Sequence, residues 1–463
     1  MDNKINIKKA STYYFVGTLF NKGISFITVP IFIRIMEVED YGVITTYNAW
    51  VSIFMMFMSC ALYMAIRASF IDYKETTNDF LAVIVVFISI FDVLFSVILI
   101  LALNVLSIDI NMGLLIFCLL QSWATAIIEC VSIYYMMKYK YKERTAIMVL
   151  PNLLSTILSI WIIKNLFHTD LYWGRIIPAS LITFVVGLGV FILSLKKSSK
   201  RINIEYIKYG LIISLPLVLH GIGLNILSQS DRMMLTIIRD STETGIYGLI
   251  YNFSMIAIVI TTTLDGIWIP IFTKKMSEKK YLEINSLSVK YIELMTIILT
   301  GVILVGPEIV KLLATHVYWK GIKIIPPIVL SNYVIFIYTL FVNVEHYYKK
   351  TIYISVNTVI AAVMNIFLNI FFISKWGYFG AAYTTLISYL ISLFLHYNYS
   401  KKINSELFPL KQFFVPSFIV ICSIIIFYIF VDSWVIRWGI VFLLTGYFWG
   451  KEKEWIIIFI KNR

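Results

Sequence analysis

Apolar residues along this 463-residue chain come in blocks of about 20, separated by short polar links. A block of that length matches a helix that crosses about 30 Å of hydrocarbon, and a helix satisfies its own backbone hydrogen bonds in lipid. A transmembrane β-barrel would instead show short segments of alternating polarity. The pattern therefore predicts an all-α integral membrane protein with about fourteen transmembrane helices. Their predicted spans are 10–36, 42–66, 80–103, 112–137, 145–166, 175–195, 207–231, 244–270, 287–306, 323–346, 351–373, 378–398, 412–431 and 434–450.

The composition agrees with a protein whose main solvent is lipid. Hydrophobic residues make up 60% of the chain and charged residues 14%, whereas soluble domains contain about 45–50% and about 25%. An ordinary soluble enzyme is therefore excluded. The net charge of +13 does not indicate a nucleic-acid partner, because the basic residues lie in short links between apolar blocks. Most of them fall on the side that holds both termini, so the positive-inside rule predicts that both termini are cytoplasmic.

Two pairs of short motifs recur at an offset of 206 residues. Asp40-Tyr41-Gly42 matches Ile246-Tyr247-Gly248, and the link that begins at Tyr141 matches the link that begins at Tyr347. A repeat of six helices keeps both copies in the same membrane orientation, as in transporters built from parallel repeats. We therefore expect a six-helix lobe over residues 1–200, a second over 201–405, and two extra helices with a short basic tail over 406–463.

Polar residues follow the first, second, seventh and eighth predicted helices in steps of three or four, which places them on one face of each helix. Helices in equivalent places of both halves that carry such faces indicate a water-filled cavity. The candidate cavity residues are Asn21, Lys22, Asn48, Asn225, Gln229, Arg232 and Asn252.

Lys22 is the strongest individual signal, because a lysine at mid-membrane costs about 2.5–3.5 kcal/mol on insertion scales unless it faces water or a partner. Two interpretations stay open for it: a contact with an anion in the cavity, or a buried ion pair. Asp92 and Glu129 are the carboxylates that could supply the partner. Both are also candidate carriers of a coupling ion, as is Asp231 beside Arg232.

Prolines and histidines within the helices give weaker signals. Pro216, Pro326 and Pro327 interrupt the backbone hydrogen bonds of the predicted seventh and tenth helices and are candidate hinges. His346 and His396 lie near predicted helix ends, and we expect no role for them.

Motifs of the common catalytic sites are absent from the sequence. It contains no P-loop, GxSxG or HExxH motif, and its four cysteines lie inside apolar blocks without a CxxC pair. We therefore predict neither enzymatic activity nor a cofactor, and no metal site.

The joint placement of several motifs resembles the bacterial polysaccharide flippase family, which includes the O-antigen and capsule repeat-unit transporters. The motifs are Pro30…Arg34…Asp40-Tyr41-Gly42, Ser228-Gln229-Ser230-Asp231-Arg232…Gly245-Ile246-Tyr247-Gly248 and Gly377-Tyr378-Phe379-Gly380-Ala381-Ala382. The family belongs to a superfamily that also holds multidrug exporters and lipid II flippases.

The resemblance implies an alternating-access transporter in the bacterial inner membrane, with a function in lipopolysaccharide or capsule biosynthesis. Its implied substrate is a polyprenyl-diphosphate-linked oligosaccharide, moved from the cytoplasmic to the outer leaflet and driven by an ion gradient. Lys22 and Arg232 would then contact the charged head group. The implied partners are this substrate, membrane lipid, and a polymerase with other glycan-assembly proteins.

Two alternatives remain at this point. A multidrug or cation exporter of the same superfamily would have a cavity dominated by carboxylates. An integral membrane enzyme of glycan assembly would be expected to carry a sizeable outer loop, and the predicted outer links are short.

Overall fold

The computed structural model describes residues 28–108, 110–199 and 203–461 of the chain. Nearly all of these residues are helical, and this part of the chain contains no β-strand. The helices are α1 (28–35), α2 (Val38–Ser59), α3 (Tyr63–Asp72), α4 (Thr77–Val105), α5 (Met112–Met137), α6 (Tyr141–Asn165), α7 (Tyr172–Lys196), α8 (Ile204–Ile238), α9 (Ser241–Ser277), α10 (Tyr281–Leu313), α11 (Ile325–Tyr347), α12 (Thr351–Ile403), α13 (Lys411–Ile429) and α14 (Trp434–Lys461); a 3₁₀ helix, His316–Ile324, precedes α11.

These helices confirm the prediction of an all-α integral membrane protein. Within the described residues, ten helices are long and apolar enough to cross a membrane, or eleven when the bent α8 counts as one span. α2 and α3 together form one of these spans. α12 is 53 residues long, or about 80 Å at 1.5 Å per residue, which is more than twice the hydrocarbon thickness. It therefore supplies two spans, as the sequence predicts.

Gly377 separates the two arms of α12. Its backbone has φ 55° and ψ −135°, a conformation that favours glycine because it has no Cβ. The buried side chains of Asn365, Asn369 and Thr384 then join the arms. Asn369 donates to Asn365 at 3.1 Å, Asn365 donates to Ser388 at 3.2 Å, and Thr384 donates to Asn369. The two arms of α12 thus form a helical hairpin.

Two other predicted spans are interrupted in the structure. The helix expected over 42–66 breaks at Cys60 and Ala61, which both have positive φ. α8 bends by 57° between Leu215 and His220, on either side of Pro216, as expected for a proline within a helix.

Pro326 and Pro327 do not interrupt a helix, contrary to the expectation for the predicted tenth helix. They occupy the first turn of α11, where the missing N–H groups have no intrahelical partner in any case. These two prolines therefore start a helix rather than form a hinge.

Three links share one tight geometry. Each joins two helices through three residues, of which the middle one has positive φ and the last donates a backbone hydrogen bond to the preceding helix. Such links place consecutive helices side by side and antiparallel. The middle residues are Tyr139 between α5 and α6, Lys279 between α9 and α10, and Lys349 between α11 and α12.

The helix order recurs along the chain, but the offset is not constant. α6 begins at position 141 and α12 at position 351, 210 residues apart, whereas α2 begins at 38 and α9 at 241, 203 residues apart. The spacing between corresponding helix starts therefore differs by three to four residues from the 206-residue spacing of the motifs, because links and helices differ slightly in length.

The chain forms two compact units, Met1–Gly245 and Ile246–Arg463. The first unit has a core of aliphatic and aromatic side chains from α3, α4, α5, α7 and α8, centred on Phe80, Ile84 and Ile127. In the second, α11 packs along α12 and α10 along α13, with Ile325, Leu340 and Val344 buried. The lobe boundaries at residues 200 and 405 stay a prediction from the repeat.

Candidate functional site

Two candidate cavity residues, Asn21 and Lys22, lie outside the described residues. The first helix is described only from residue 28. Both interpretations of Lys22, an anion contact in the cavity or a buried ion pair, therefore stay predictions.

The polar run on α8 is brought together inside the first unit. Arg232 is 7% exposed and Asp231 is fully buried, although both lie in a largely apolar helix. Nη1 of Arg232 donates to Oε1 of Gln229 one turn earlier, and its backbone N–H donates to Oδ1 of Asp231 at 2.8 Å. The guanidinium is thus held in a defined position by its own helix.

Asn48 on α2 and Arg232 on α8 lie at about the same position along the axes of these two antiparallel helices. Thr46 shares a hydrogen bond with Thr236, which fixes the register of these two helices. Since α2 and α8 run in opposite directions, two residues further along α2 correspond to about two to four residues back along α8. Asn48 is exposed, whereas Arg232 is buried. The register therefore places the two residues at the same position along the helix pair, and it does not give a contact between their side chains.

Gly42, from the repeated motif, allows two helix starts to touch. A Cβ at Gly42 would overlap the carbonyl oxygen of Ser241, and a Cβ at Gly245 would overlap that of Val38. Only glycine permits this separation of α2 from the first turn of α9. Gly42 and Gly245 therefore serve the close packing of α2 against the start of α9.

The two remaining cavity candidates are half-buried. Asn225 on α8 donates its side-chain amide to the carbonyl oxygen of Gly221 at 3.0 Å. Asn252 lies on α9 in the second unit. The Asn225 contact lies within its own helix and does not identify a ligand.

Asp92 on α4 carries a carboxylate oxygen, Oδ1, that is buried and has no hydrogen-bond partner among the described residues. The nearby Ser89 is already used, because its hydroxyl donates to the carbonyl oxygen of Val85 and accepts from Nε1 of Trp123 at 2.9 Å. An unsatisfied carboxylate oxygen inside an apolar helix is costly and is a typical feature of ion or proton sites.

Glu129 on α5 lies half-buried within the electrostatic reach of Arg144 on α6. Arg144 in turn donates from Nε to the hydroxyl of Ser132 at 3.1 Å. Within the described part of the chain, the positive charge near Glu129 is therefore that of Arg144. The sequence had suggested Lys22 as its partner.

Arg175 is a half-buried cation that was not predicted from the sequence. It lies near the start of α7, where its Nη1 donates to the hydroxyls of Ser155 and Ser159, each at 3.4 Å. The guanidinium also lies 4.9 Å from the centre of the Phe32 ring. From the sequence alone, an arginine in the first turn of a helix is expected to lie at the membrane interface.

His396 was expected to have no role, but it forms a fully buried pair with Glu345. Nδ1 of His396 lies 3.0 and 3.1 Å from the two carboxylate oxygens, and the side chains are 1% and 0% exposed. The imidazole also stacks on the ring of Tyr338 at 5.5 Å. Glu345 and His396 are 51 residues apart, so no local pattern connects them.

No group of three or more metal-ligating side chains is present among the described residues. The arrangement of the first unit instead places an interior arginine, polar amides and carboxylates within otherwise apolar helices. Such residues suit the recognition of a charged, hydrated solute within a membrane protein.

Comparison with known protein families identifies a matching family. The polysaccharide biosynthesis protein family matches residues 7–276, more than half of the chain. Among curated proteins, no sequence matches significantly.

Solved structures of membrane transporters share the fold. The lipid II flippase MurJ in an inward closed conformation has a TM-score of 0.70 and 16% identity, covering 96% of this chain and 99% of its own. An inward-facing multidrug resistance MATE family transporter of the MOP superfamily gives 0.61 and 11%, covering 86% and 98%. A mutant of the Vibrio cholerae MATE transporter VcmN gives 0.56 and 15%, covering 85% and 95%. At these identities the likeness is one of fold.

Proposed function

Because this chain belongs to the polysaccharide biosynthesis protein family, we propose that it is a flippase for a polyprenyl-diphosphate-linked oligosaccharide. It moves this repeat unit from the cytoplasmic to the outer leaflet by alternating access. The family match over residues 7–276 is the observation that carries the proposal. A fold shared along 96% of the chain with a lipid II flippase supports it.

The physical task explains the interior polar residues. A sugar diphosphate cannot enter hydrocarbon, because each unsatisfied polar group costs several kcal/mol. Arg232, buried and oriented by Gln229, supplies a fixed positive charge for the diphosphate, and a guanidinium binds phosphate oxygens through paired donors. The lipid tail can remain in the bilayer throughout.

Lys22 is proposed as a second cation for the head group, with uncharged polar residues for the sugar. Asp92, Glu129 and Asp231 are proposed carriers of a coupling ion. The proposed sugar contacts are Asn21, Asn48, Asn225, Gln229 and Asn252.

The setting follows from the same proposal. The protein would lie in a bacterial inner membrane with both termini cytoplasmic, and deliver O-antigen or capsule units to a polymerase and other glycan-assembly proteins. The excess of basic residues on the side of the termini supports this orientation.

Reconstitution tests the proposal directly. Proteoliposomes that contain the full chain and a fluorescent polyprenyl-diphosphate oligosaccharide should expose the label to an added glycosidase faster than protein-free liposomes. A deletion strain should lose surface polysaccharide and accumulate the lipid-linked unit on the cytoplasmic face. Normal surface polysaccharide without accumulation contradicts the proposal.

A multidrug exporter is the second candidate, because a multidrug resistance MATE family transporter shares the fold with a TM-score of 0.61. It predicts that expression of the chain lowers the accumulation of a cationic dye in cells. Dye efflux together with unchanged oligosaccharide exposure would favour this function over flipping.

A further inference from the structure

The guanidinium of Arg175 lies within the first unit, in contact with α6 and α1. Its Nη1 donates to the hydroxyls of Ser155 and Ser159 on α6, each at 3.4 Å, and its central carbon lies 4.9 Å from the centre of the Phe32 ring on α1. Ser155 is 2% exposed, Ser159 0% and Phe32 5%. The charged end of this half-buried side chain therefore lies against the buried side of two neighbouring helices.

The side chain of Arg175 points toward the middle of α7 rather than toward its nearer end. A Cβ at Gly174 would lie against Ile163 of α6, so Arg175 is level with about residue 162. Ser159 and Ser155 lie about 5 and 10 Å from that level, away from the link that joins α6 to α7. An arginine near the end of a membrane helix usually extends its charge outward to the interface. The charge of Arg175 instead extends inward.

The acidic residues near the start of α7 do not pair with Arg175. Asp40 accepts a hydrogen bond from the backbone N–H of Tyr172 at 3.1 Å, and Glu37 and Asp170 lie near Asp40. These three acids lie at the end of α7 from which the guanidinium points away. Among the described residues, no carboxylate forms an ion pair with Arg175.

The helix that contacts Arg175 through Phe32 cannot supply a carboxylate either. The sequence of the first predicted helix, 10–36, contains neither Asp nor Glu. A cation held inside apolar helices without an opposite charge is unfavourable. An anion from solution can supply the missing charge.

Arg175 and Ser159 also have donors that the described part of the chain does not use. A guanidinium has five N–H donors, and only Nη1 of Arg175 has acceptors among the described residues. The hydroxyl of Ser159 accepts from Nη1, and it donates to no described residue. Ser155 differs, because its hydroxyl donates to the carbonyl oxygen of Asn152 at 3.2 Å. Nε and Nη2 of Arg175 and the hydroxyl of Ser159 are thus available to an anion.

We propose that Arg175 and Ser159 bind a small monovalent inorganic anion of the halide class between α1, α6 and α7. Charged N–H and O–H donors in an apolar surrounding are the groups that bind anions. The site offers one positive charge and one available hydroxyl, which match a single negative charge better than a phosphoryl group. This inference does not depend on the transport function.

A chloride titration of the detergent-purified full chain tests the proposal. Sodium chloride replaces sodium gluconate at constant ionic strength, and the unfolding temperature should rise and then saturate. Arg175→Gln should weaken the apparent affinity for chloride at least about tenfold, since a charge-assisted contact is lost. Arg34→Gln is the matched control, because it removes an exposed arginine from α1 and should keep the response. Equal losses in both variants, or an unsaturated response shared by all three proteins, would overturn the site.

Bromide locates the anion directly. Crystals grown with bromide in place of chloride should show an anomalous peak beside the guanidinium of Arg175 and the hydroxyl of Ser159. Bromide found only at the protein surface would contradict the proposal. Inorganic phosphate provides the second arm: if it stabilises the protein through Arg175 at lower concentrations than chloride does, the ligand is a phosphoryl group and the halide assignment is wrong.

A second variant keeps the test decisive if Arg175→Gln does not fold. Ser159→Ala leaves the arginine in place and should weaken the affinity for chloride roughly fivefold, as expected for one lost hydrogen bond. Ser194→Ala is its control, because this buried serine on α7 donates to the carbonyl oxygen of Val190 in its own helix. An unchanged affinity in Ser159→Ala would exclude the hydroxyl from the site.

Discussion

Arg437 on α14 is fully buried and donates to both carboxylate oxygens of Glu308 on α10, with Nη1 2.9 Å from Oε2. Its guanidinium also donates to the carbonyl oxygens of Phe430 at 2.9 Å and Val431 at 3.2 Å, after α13, and to that of Leu304 on α10. A single guanidinium therefore joins α10, the end of α13 and α14. Within the second unit, this residue is one of the contacts that attach the last two helices to α10.

Replacement of Arg437 by Met should destabilise the protein by about 3 kcal/mol, because Glu308 and the α13 carbonyls lose a buried donor. The check is thermal unfolding in detergent, followed by size-exclusion chromatography. Lys451→Met is the control: Lys451 also joins α14 to α10, through Glu293 at 2.8 Å, but it is 45% exposed. Its removal should cost less than about 1 kcal/mol. Similar losses in the two variants would contradict the role of burial.

Two glycines on α7 predict opposite responses to a methyl group. A Cβ at Gly187 would come within 2.8 Å of the Ala124 backbone, whereas a Cβ at Gly189 meets nothing within 4 Å. Gly187→Ala should destabilise the first unit by about 1–3 kcal/mol through overpacking. Gly189→Ala should be neutral or stabilise by up to about 1 kcal/mol, since alanine favours helix. The comparison uses unfolding temperatures, and a stable Gly187→Ala would show that α5 and α7 separate easily.

The buried pair of His396 and Glu345 should tolerate exchange of the imidazole for another donor better than its removal. His396→Leu leaves the carboxylate without its nitrogen partner and should cost about 3–5 kcal/mol. His396→Gln keeps an N–H donor and should recover part of the loss. His316→Gln, at an exposed histidine, serves as the control in the same unfolding assay. An unchanged His396→Leu protein would mean that the pair contributes little.

Arg232 should affect transport more than folding. Arg232→Gln should lower the initial rate of oligosaccharide exposure in proteoliposomes at least about tenfold, because a charge-assisted contact with the diphosphate is lost. Arg232→Lys keeps the charge without the paired donors and should be intermediate. Arg239→Gln, which removes a more exposed arginine at the end of the same helix, should retain normal rates. Full activity of Arg232→Gln would exclude this residue from substrate binding.

Asp92 should change the pH dependence of transport if it carries the coupling proton. A carboxyl group can bind and release a proton, whereas an amide cannot, so Asp92→Asn should flatten the rate profile between about pH 5 and 8. Glu75→Gln on the exposed link before α4 should leave the profile intact. A profile with unchanged shape in Asp92→Asn would remove Asp92 as a proton carrier.

The helices were predictable because lipid imposes one requirement along the whole chain. Each crossing needs about 20 apolar residues in a helix. The second predicted span corresponds to α2 with α3, and every later one to a helix or to one arm of α12. The bend in α8 was also predictable, because the effect of Pro216 on the backbone hydrogen bonds is local. Pro326 and Pro327 were misjudged because their effect depends on whether the helix starts before or after them, and the preceding 3₁₀ helix is not visible in a hydrophobic pattern.

Interior chemistry was predictable only in part. The run from Gln229 to Arg232 was identified because its polar residues are adjacent in sequence, and in the structure Arg232 donates a hydrogen bond to Gln229. Arg175 and His396 were missed because a charged or polar residue near a helix end is usually interfacial. Their burial depends on which neighbouring helix covers that end.

The amino-acid sequence by itself determined that most of the protein lies in lipid, the order of its membrane-spanning helices, and the polar run on α8. These properties follow from chain composition and from the spacing of neighbouring residues. Only the tertiary structure decided which polar groups meet: His396 with Glu345, Arg437 with Glu308, and Lys138 with Asn78. Such pairs depend on the rotation and register of helices that are far apart in sequence, and these are set by packing across the whole unit.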